Sequence, residues 1–308
     1  MAYDSFGQFV QALEKAGELK CIRQPIATEL EITELADREM KSPGGGKALL
    51  IEQPTVNGQV SPFPLAINTY GSRRRMAMSL GADSVDELAA ELASLLKAKP
   101  PTSLAEAIKL LGTALDLRHA KPKIVSKGAC QEVVHRQEAL ASGAASSCPT
   151  LLSLPILKCW PLDAGRFITL PCVVTKDPDT GERNVGMYRI QIYDGQTTGM
   201  HWQLHKVAAR HGRRYYETGQ RMPVSIFLGG DPVLAFCATA PLPDGLDEFL
   251  LAGYLRKQSV ALVKGVSNDL EIPAEADFVI EGYVDPTEPL RTEGPFGDHT
   301  GYYSLPDL

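Results

Sequence analysis

Near the end of the 308-residue sequence, the stretch EGPFGDHTGYY (293–303) sets two carboxylates, Glu293 and Asp298, and one imidazole, His299, among glycine, proline and aromatic residues. Gly294, Pro295, Gly297 and Gly301 are incompatible with a helix and favour turn conformations. Carboxylates fixed in such a loop suit positioned acid/base chemistry, and a surface turn with solvated acids is the alternative. Two close carboxylates raise each other's pKa unless a cation intervenes, and Arg189 is a candidate for that cation.

Three further clusters could join this one. NVGMYR (184–189) lies on a strand that leads to a turn at Asp194-Gly195. Asn184 and Arg189 are an odd number apart, so an ideal strand points them to opposite faces, and a shared site requires a bulge or a strand start near Gly186. MHWQLHK (200–206) places His201 and His205 four apart, a metal-ligand spacing on a helix, but the segment runs from strand into helix and only one of the two need face inward. Lys206 offers an anion contact and Trp202 a stacking surface. In APLPDGLDEFLLAGYL (240–255), Glu248 falls in the first turn of a helix. There a carboxylate favours the helix dipole, and metal ligation would need an Asn or His from elsewhere.

The elements that must position these residues differ between the two parts of the chain. In the first ~100 residues helix and strand patterns alternate. Phe6, Phe9, Val10 and Leu13 recur at helical spacing behind a cap at Asp4 or Ser5. Residues 30–42 and 84–99 read as helices, the first of them capped, and 47–54 and 63–70 as buried strands. GGGK (44–47) lacks the spacing of a phosphate loop and reads as a turn. A boundary follows over 98–122, and SGAASSCP (142–149) reads as a small-residue loop. Segments 167–178, 184–203, 221–230, 259–265 and 277–286 are then β-type, interrupted by helices over 203–219 and 246–257. This predicts an antiparallel barrel or strongly curved sheet with inserted helices.

Bulk composition excludes several classes. The formal charge of −6 argues against broad nucleic-acid or anionic-membrane binding. No apolar run reaches the ~18–20 residues that cross a bilayer, and the N-terminus lacks a basic stretch followed by an apolar block. A cytoplasmic protein with no transmembrane segment and no nucleic-acid partner is expected. Cys21, Cys130, Cys148, Cys159, Cys172 and Cys237 are dispersed without a CxxC, which predicts reduced thiols and no zinc site.

Taken together and in order, NVGMYR, MHWQLHK, PLPDGLDEFLLAGYL and EGPFGDHTGYY resemble the successive motifs of the UbiD-type decarboxylases, which use prenylated FMN. GELKCIRQPIATELEITELADR and ILKCWPLDAGRFIT resemble the same family's opening and mid-chain segments, so the similarity covers nearly the whole chain. The resemblance implies an α+β fold. Residues 1–115 would form a small N-terminal α/β domain, and residues 116–308 a flavin-reductase-like split β-barrel with inserted helices that binds prenylated FMN. It implies Asn184, His205 and Glu248 as ligands of a divalent cation, usually Mn2+, with K+ held by carbonyls near 237–240. Met187, Tyr188, Arg189, His201, Trp202, Gln203, His205 and Lys206 match the segments that wrap the cofactor. Arg189, Glu293 and Asp298 match the catalytic set.

The activity so implied is reversible, non-oxidative decarboxylation of an aromatic or α,β-unsaturated acid through a covalent adduct with prenylated FMN, Asp298 giving the proton that replaces CO2. Phenolic acids such as 4-hydroxybenzoate, its polyprenylated form, protocatechuate or vanillate would be substrates, and Asp at position 298 leans toward the ubiquinone-pathway branch. A flavin prenyltransferase would supply the cofactor. The family's members continue into a C-terminal α/β domain that completes the pocket and carries much of the interface of a homodimer or larger homo-oligomer. Its absence here predicts an aggregation-prone or non-productive chain. The competing readings are a flavin- or metal-binding module without this chemistry and a non-catalytic subunit of a carboxylase complex.

Overall fold

A computed structural model describes residues 3–96, 120–136, 149–243 and 245–308, with the side chains of 94–96 excepted. The inferred division at 115/116 and most of the 142–149 loop lie outside these residues.

The N-terminal part is an α/β unit. Strand Ala48–Ile51 lies between Leu19–Ile22, parallel to it, and Leu65–Ile67, antiparallel. Helix Phe6–Lys15 starts at Ser5, whose hydroxyl accepts from Gln8 N, and packs Phe9 and Leu13 against Ala48. Helix Glu31–Met40 covers Leu49 and Ile51 with Ile32. It lacks the expected side-chain cap: Leu30 stands at the cap position with φ 67°, and Glu31 instead accepts from Ala27 N at 2.8 Å. The helix expected over 84–99 spans Val85–Leu96.

GGGK is a turn built around a buried cation. Arg75 is fully buried and donates to Glu18, Gly45 O and Gly46 O at 3.1, 2.9 and 2.6 Å. Gly45 has φ 83°, and a Cβ there would stand 1.9 Å from Gly71 O, so only glycine fits.

The rest of the chain is a split β-barrel of small sheets with inserted helices, so the whole is α+β as expected. One sheet runs in the order Arg183–Met187, Cys172–Lys176, Met222–Leu228, Phe278–Val284, with every neighbour antiparallel. A second has Ile190–Ile192 between Thr198–Met200 and Arg166–Ile168. Strand period two explains the two cores. Cys172, Val174, Val185 and Phe227 face helices Val233–Cys237 and Glu248–Arg256, whereas Val173, Val224 and Ile226 join Tyr188, Ile190 and helix Val207–Thr218. Both faces are buried, which is why these strands read as nearly continuous apolar runs. The two parts are fastened at Thr28, which accepts from Arg166 at 2.7 Å, and at Asp231, which accepts from Tyr3 N at 3.0 Å.

Among the described residues no helix is long and apolar enough to cross a membrane, and the described cysteines are free thiols. Replacing Arg75 with Met leaves Glu18 buried with only its partly exposed neighbours Lys47 and Arg74. The expected loss is about 3 kcal/mol in a urea titration. A loss indistinguishable from zero would mean that the turn does not depend on this cation.

Candidate active site

The segment 183–200 passes from one sheet to the other at Tyr188–Arg189. It neither bulges nor starts late, as the spacing of Asn184 and Arg189 led us to expect. Strand Arg183–Met187 ends, two residues cross, and Ile190 opens the second sheet. Tyr188 makes the crossing by folding back over Gly186, where a Cβ would lie 2.4 Å from the ring. The sheet change therefore decouples the directions of Asn184 and Arg189 from strand alternation.

Arg189 emerges at the start of the second sheet and meets Glu293 in a two-point pair. Nε donates to Oε1 at 2.7 Å and Nη2 to Oε2 at 2.8 Å. Nη2 also donates to Ser304 Oγ at 3.0 Å, and the guanidinium carbon lies 4.9 Å from the centre of the Phe296 ring. His201 Nδ1 is 3.0 Å from Glu293 Oε2. Burial alone would push the Glu293 carboxyl up, but the hydrogen bonds from Arg189 and His201 and the Arg189 charge overcome it and hold it at about 2. An ionised carboxylate only accepts, so the His201 Nδ1 facing Glu293 bears a hydrogen, and Arg189 Nη2 lies 3.3 Å from the same nitrogen. The Nε–Nη2 edge of Arg189 is thus spent on Glu293, and among the described residues Nη1 is the nitrogen left for a ligand.

Local structure holds Glu293 and the loop after it. Glu293 exchanges backbone hydrogen bonds with Asp307 at 2.8 and 2.9 Å. Gly294 N donates to Gln191 Oε1 at 2.8 Å, and Gly297 N to Asp163 Oδ1 at 2.7 Å. Asp163 is 5% exposed and its other oxygen accepts from Cys159 N and Trp160 N. Phe296–Gly297 then pairs with Tyr303–Ser304. The turn between them carries Asp298, whose side chain is 39% exposed and 3.0 Å from His299 Nδ1. Partial burial raises the Asp298 carboxyl, but hydrogen bonds from His299 and Thr300 outweigh it and hold it below the usual range.

The inferred metal ligands are only partly gathered. Asn184 is buried, and its Nδ2 is 3.3 Å from Tyr188 Oη and 3.5 Å from Thr175 Oγ1. Glu248 opens its helix and accepts from Val185 N, next to Asn184, at 2.9 Å. Its helix is capped by Asp247, which is itself tied to Arg183. Burial pushes Glu248 up to about 7, with Asp247 adding to it and the Val185 N–H and Arg183 opposing. A carboxylate buried without a strong cationic partner fits a divalent cation, as does the oxygen donor set that it forms with Asn184. His205 stands apart. The helix begins at Val207 rather than 203, because His201 N is held by Arg189 O and Trp202 folds onto Gly212. His201 and His205 therefore share no helical face, and His205 lies exposed on the turn before the helix with Gln203 and Lys206. Among the described residues no three His, Cys, Asp or Glu side chains cluster as a metal site. Of the carbonyls near 237–240, those of Cys237, Ala238 and Ala240 already accept backbone N–H groups.

An open groove of about 2300 Å3 is walled in part by Met200, His201, Trp202, Tyr216 and Ile226, and its wall does not include Arg189 or Glu293. Among the described residues the buried Trp202 Nε1–H has no acceptor, a donor that a bound polar group would satisfy. His201 links the groove to the pair. The residues the sequence did not single out are Asp163, Gln191 and Ser304, whose partners lie far along the chain. Asp163 in WPLDAG carries only a turn signal.

Comparisons with known proteins agree with this architecture. The 3-octaprenyl-4-hydroxybenzoate carboxy-lyase N-terminal domain matches residues 10–96, and the Rift-related domain of the same carboxy-lyase matches residues 123–307. The chain belongs to the UbiD family. A protein of Aquifex aeolicus is 45% identical over 305 residues, covering 99% of this chain and 60% of that protein. One from Archaeoglobus fulgidus is 44% identical over 308 residues, again 60% of its length. The chain thus spans about 60% of the length of these two relatives. The UbiD-class enzyme HmfF from Pelotomaculum thermopropionicum in complex with FMN superposes with a TM-score of 0.78 at 24% identity, over 98% of this chain and 60% of that one. Vanillic acid decarboxylase from Sedimentibacter hydroxybenzoicus gives 0.79 at 23%, over 100% and 60%.

The pairing of Glu293 has a measurable sign. Its carboxyl is held at about 2 against an ordinary 4.5. The stability it contributes is in place above the ordinary value and is lost as pH falls through about 2. Thermal unfolding of the wild type should drop steeply across this acid window, and Glu293→Gln should be less stable at neutral pH with a flatter acid limb. Parallel curves for the two proteins would show that Glu293 does not carry the effect.

Proposed function

We propose that this chain forms the cofactor-holding and acid/base part of a carboxy-lyase that decarboxylates an aromatic, phenolic or α,β-unsaturated acid. The observation that carries the reading is the Arg189–Glu293 pair, a cation oriented by a carboxylate with one nitrogen, Nη1, still open. Arg189 Nη1 would take an oxygen of the substrate carboxylate in a charge-assisted hydrogen bond, and Glu293 would keep the guanidinium from turning away. As CO2 leaves, that contact loses its charge while the Glu293 pairing persists, so Arg189 is not drawn after the product.

Prenylated FMN, when bound, would supply the electrophile that takes up the electrons of the broken bond. Met187, Tyr188, His201, Trp202, Gln203 and Lys206 would line its site. Asn184, Glu248 and His205 would hold Mn2+ or a similar cation once the exposed turn at 203–206 closes on it, with K+ near 237–240. Asp298 would return the proton to carbon. It is ionised in the present geometry, so loading a proton requires its turn to leave His299 and enter a drier setting. Exposed Leu162, Tyr302 and Leu305 form apolar surface suited to contact with another protein surface.

The test is the mass of the small molecule released after co-production with a flavin prenyltransferase and manganese. Prenylated FMN is expected, with recovery down about tenfold or more in Asn184→Ala and Glu248→Ala. Plain FMN alone, with reductase activity, would replace this reading by that of a flavin module. Co-purification of a stable partner chain, with no flavin on this one, would replace it by that of a non-catalytic subunit.

A further inference from the structure

Asn184 can serve a hard cation only through its carbonyl oxygen, because the amide nitrogen has no lone pair to give. Behind the carboxamide lie the Thr175 hydroxyl and the His211 imidazole, to which the proposed function assigns no role, together with the Tyr188 hydroxyl. Asn184 and Thr175 are direct cross-strand partners in the register of Arg183–Met187 on Cys172–Lys176. Thr175 and His211 are fully buried. Thr175 Oγ1 lies 3.5 Å from Asn184 Nδ2 and 3.0 Å from His211 Nδ1. The Tyr188 hydroxyl meets the same Asn184 nitrogen at 3.3 Å and accepts from Ala208 N at 3.3 Å.

The direction of these bonds follows from proton counting. Burial lowers the His211 pKa, with Asp177 opposing it, so the ring is neutral and one nitrogen bears hydrogen. Nε2 lies 3.9 Å from Asp177 Oδ2, too far for a hydrogen bond but on the side where a carboxylate favours an N–H. Nδ1 is then the acceptor. A threonine hydroxyl has one hydrogen, and once that hydrogen is given to Nδ1, Thr175 can only accept from Asn184. The amide must present its NH2 to Thr175 and turn its oxygen away.

We propose that His211, acting through Thr175, is a positioning residue that sets the Asn184 carboxamide with its carbonyl oxygen toward the cation. The inference rests on the reading of Asn184 as a ligand. Residues His211 and Ala208 both lie on helix Val207–Thr218, whose preceding turn carries His205. One helix thereby governs two of the three ligands, Asn184 through hydroxyls and His205 through the backbone.

Asn184, His205 and Glu248 all lie within the 308 residues, so the test needs no more than this chain. Mn2+ is titrated into the protein with saturating FMN and free Mn2+ is read by electron paramagnetic resonance, with thermal unfolding confirming the fold of each variant. Asn184→Ala should weaken binding most. Thr175→Val and His211→Leu should each raise the Kd about tenfold, the usual effect of losing an outer-shell partner. Thr175→Ser keeps the hydroxyl and His211→Asn keeps an acceptor near the Nδ1 position, and both should bind like the wild type. A role in packing alone would move His211→Asn as far as His211→Leu, and that outcome overturns the proposal. So does wild-type affinity in Thr175→Val while Asn184→Ala is impaired. If His211→Leu does not fold, the Thr175→Val and Thr175→Ser pair decides. Unchanged affinity in Asn184→Ala removes the ligand reading itself and the positioning role with it.

Discussion

The pairing of Arg189 with Glu293 joins residues 104 positions apart in a place where water is largely excluded. Removing two charges from water is costly, and their attraction repays the cost only with good geometry and full hydrogen bonding. Much of the surrounding structure supplies that geometry. Ser304 and His201 complete the polar contacts of the pair, and Phe296 lies under the guanidinium. Gln191 and Asp163 fix the backbone on either side of Pro295. Without these supports the pair would be a net cost.

The sheet change at Tyr188 solves a different problem. A single strand would have pointed Asn184 and Arg189 to opposite faces. By ending one strand and starting another in a different sheet, the chain brings Asn184 toward the Glu248 helix and Arg189 toward the closing hairpin. The glycine at 186 permits this, because the Tyr188 ring occupies the space of its missing side chain. The same tyrosine reaches on to Asn184 and to the start of the 207–218 helix. One residue thus shapes the backbone and joins the polar network behind the Asn184 amide.

Much of this was legible in the sequence. The N-terminal helix follows from apolar spacing behind Asp4 or Ser5, the strands from segments rich in Val, Ile and Tyr, and Arg189 from the need of close carboxylates for a cation. What remained hidden depends on contacts that no local pattern encodes. Period two marks a strand but does not say to which sheet it belongs, so 184–203 read as one ribbon. The helix after MHWQLHK starts late because His201 and Trp202 are claimed by partners elsewhere. Helix Val233–Cys237 is too short for a period, and Leu30 at a helix start gives no capping signal. Asp163, Thr175 and His211 are ordinary residues whose roles come from distant neighbours.

The backbone exchange between Glu293 and Asp307 adds a mechanical consequence. The side chain of Glu293 is anchored to the barrel and its main chain to the segment 305–308, so displacement of that segment is delivered directly to the carboxylate. Leu305 and Leu308 are largely exposed, and Asp307 and Leu308 border the groove. Whatever grips those apolar side chains, or is fused beside them, pulls on a lever whose short arm is the Arg189 clamp. A dye attached there would sense the state of the clamp and would also load it.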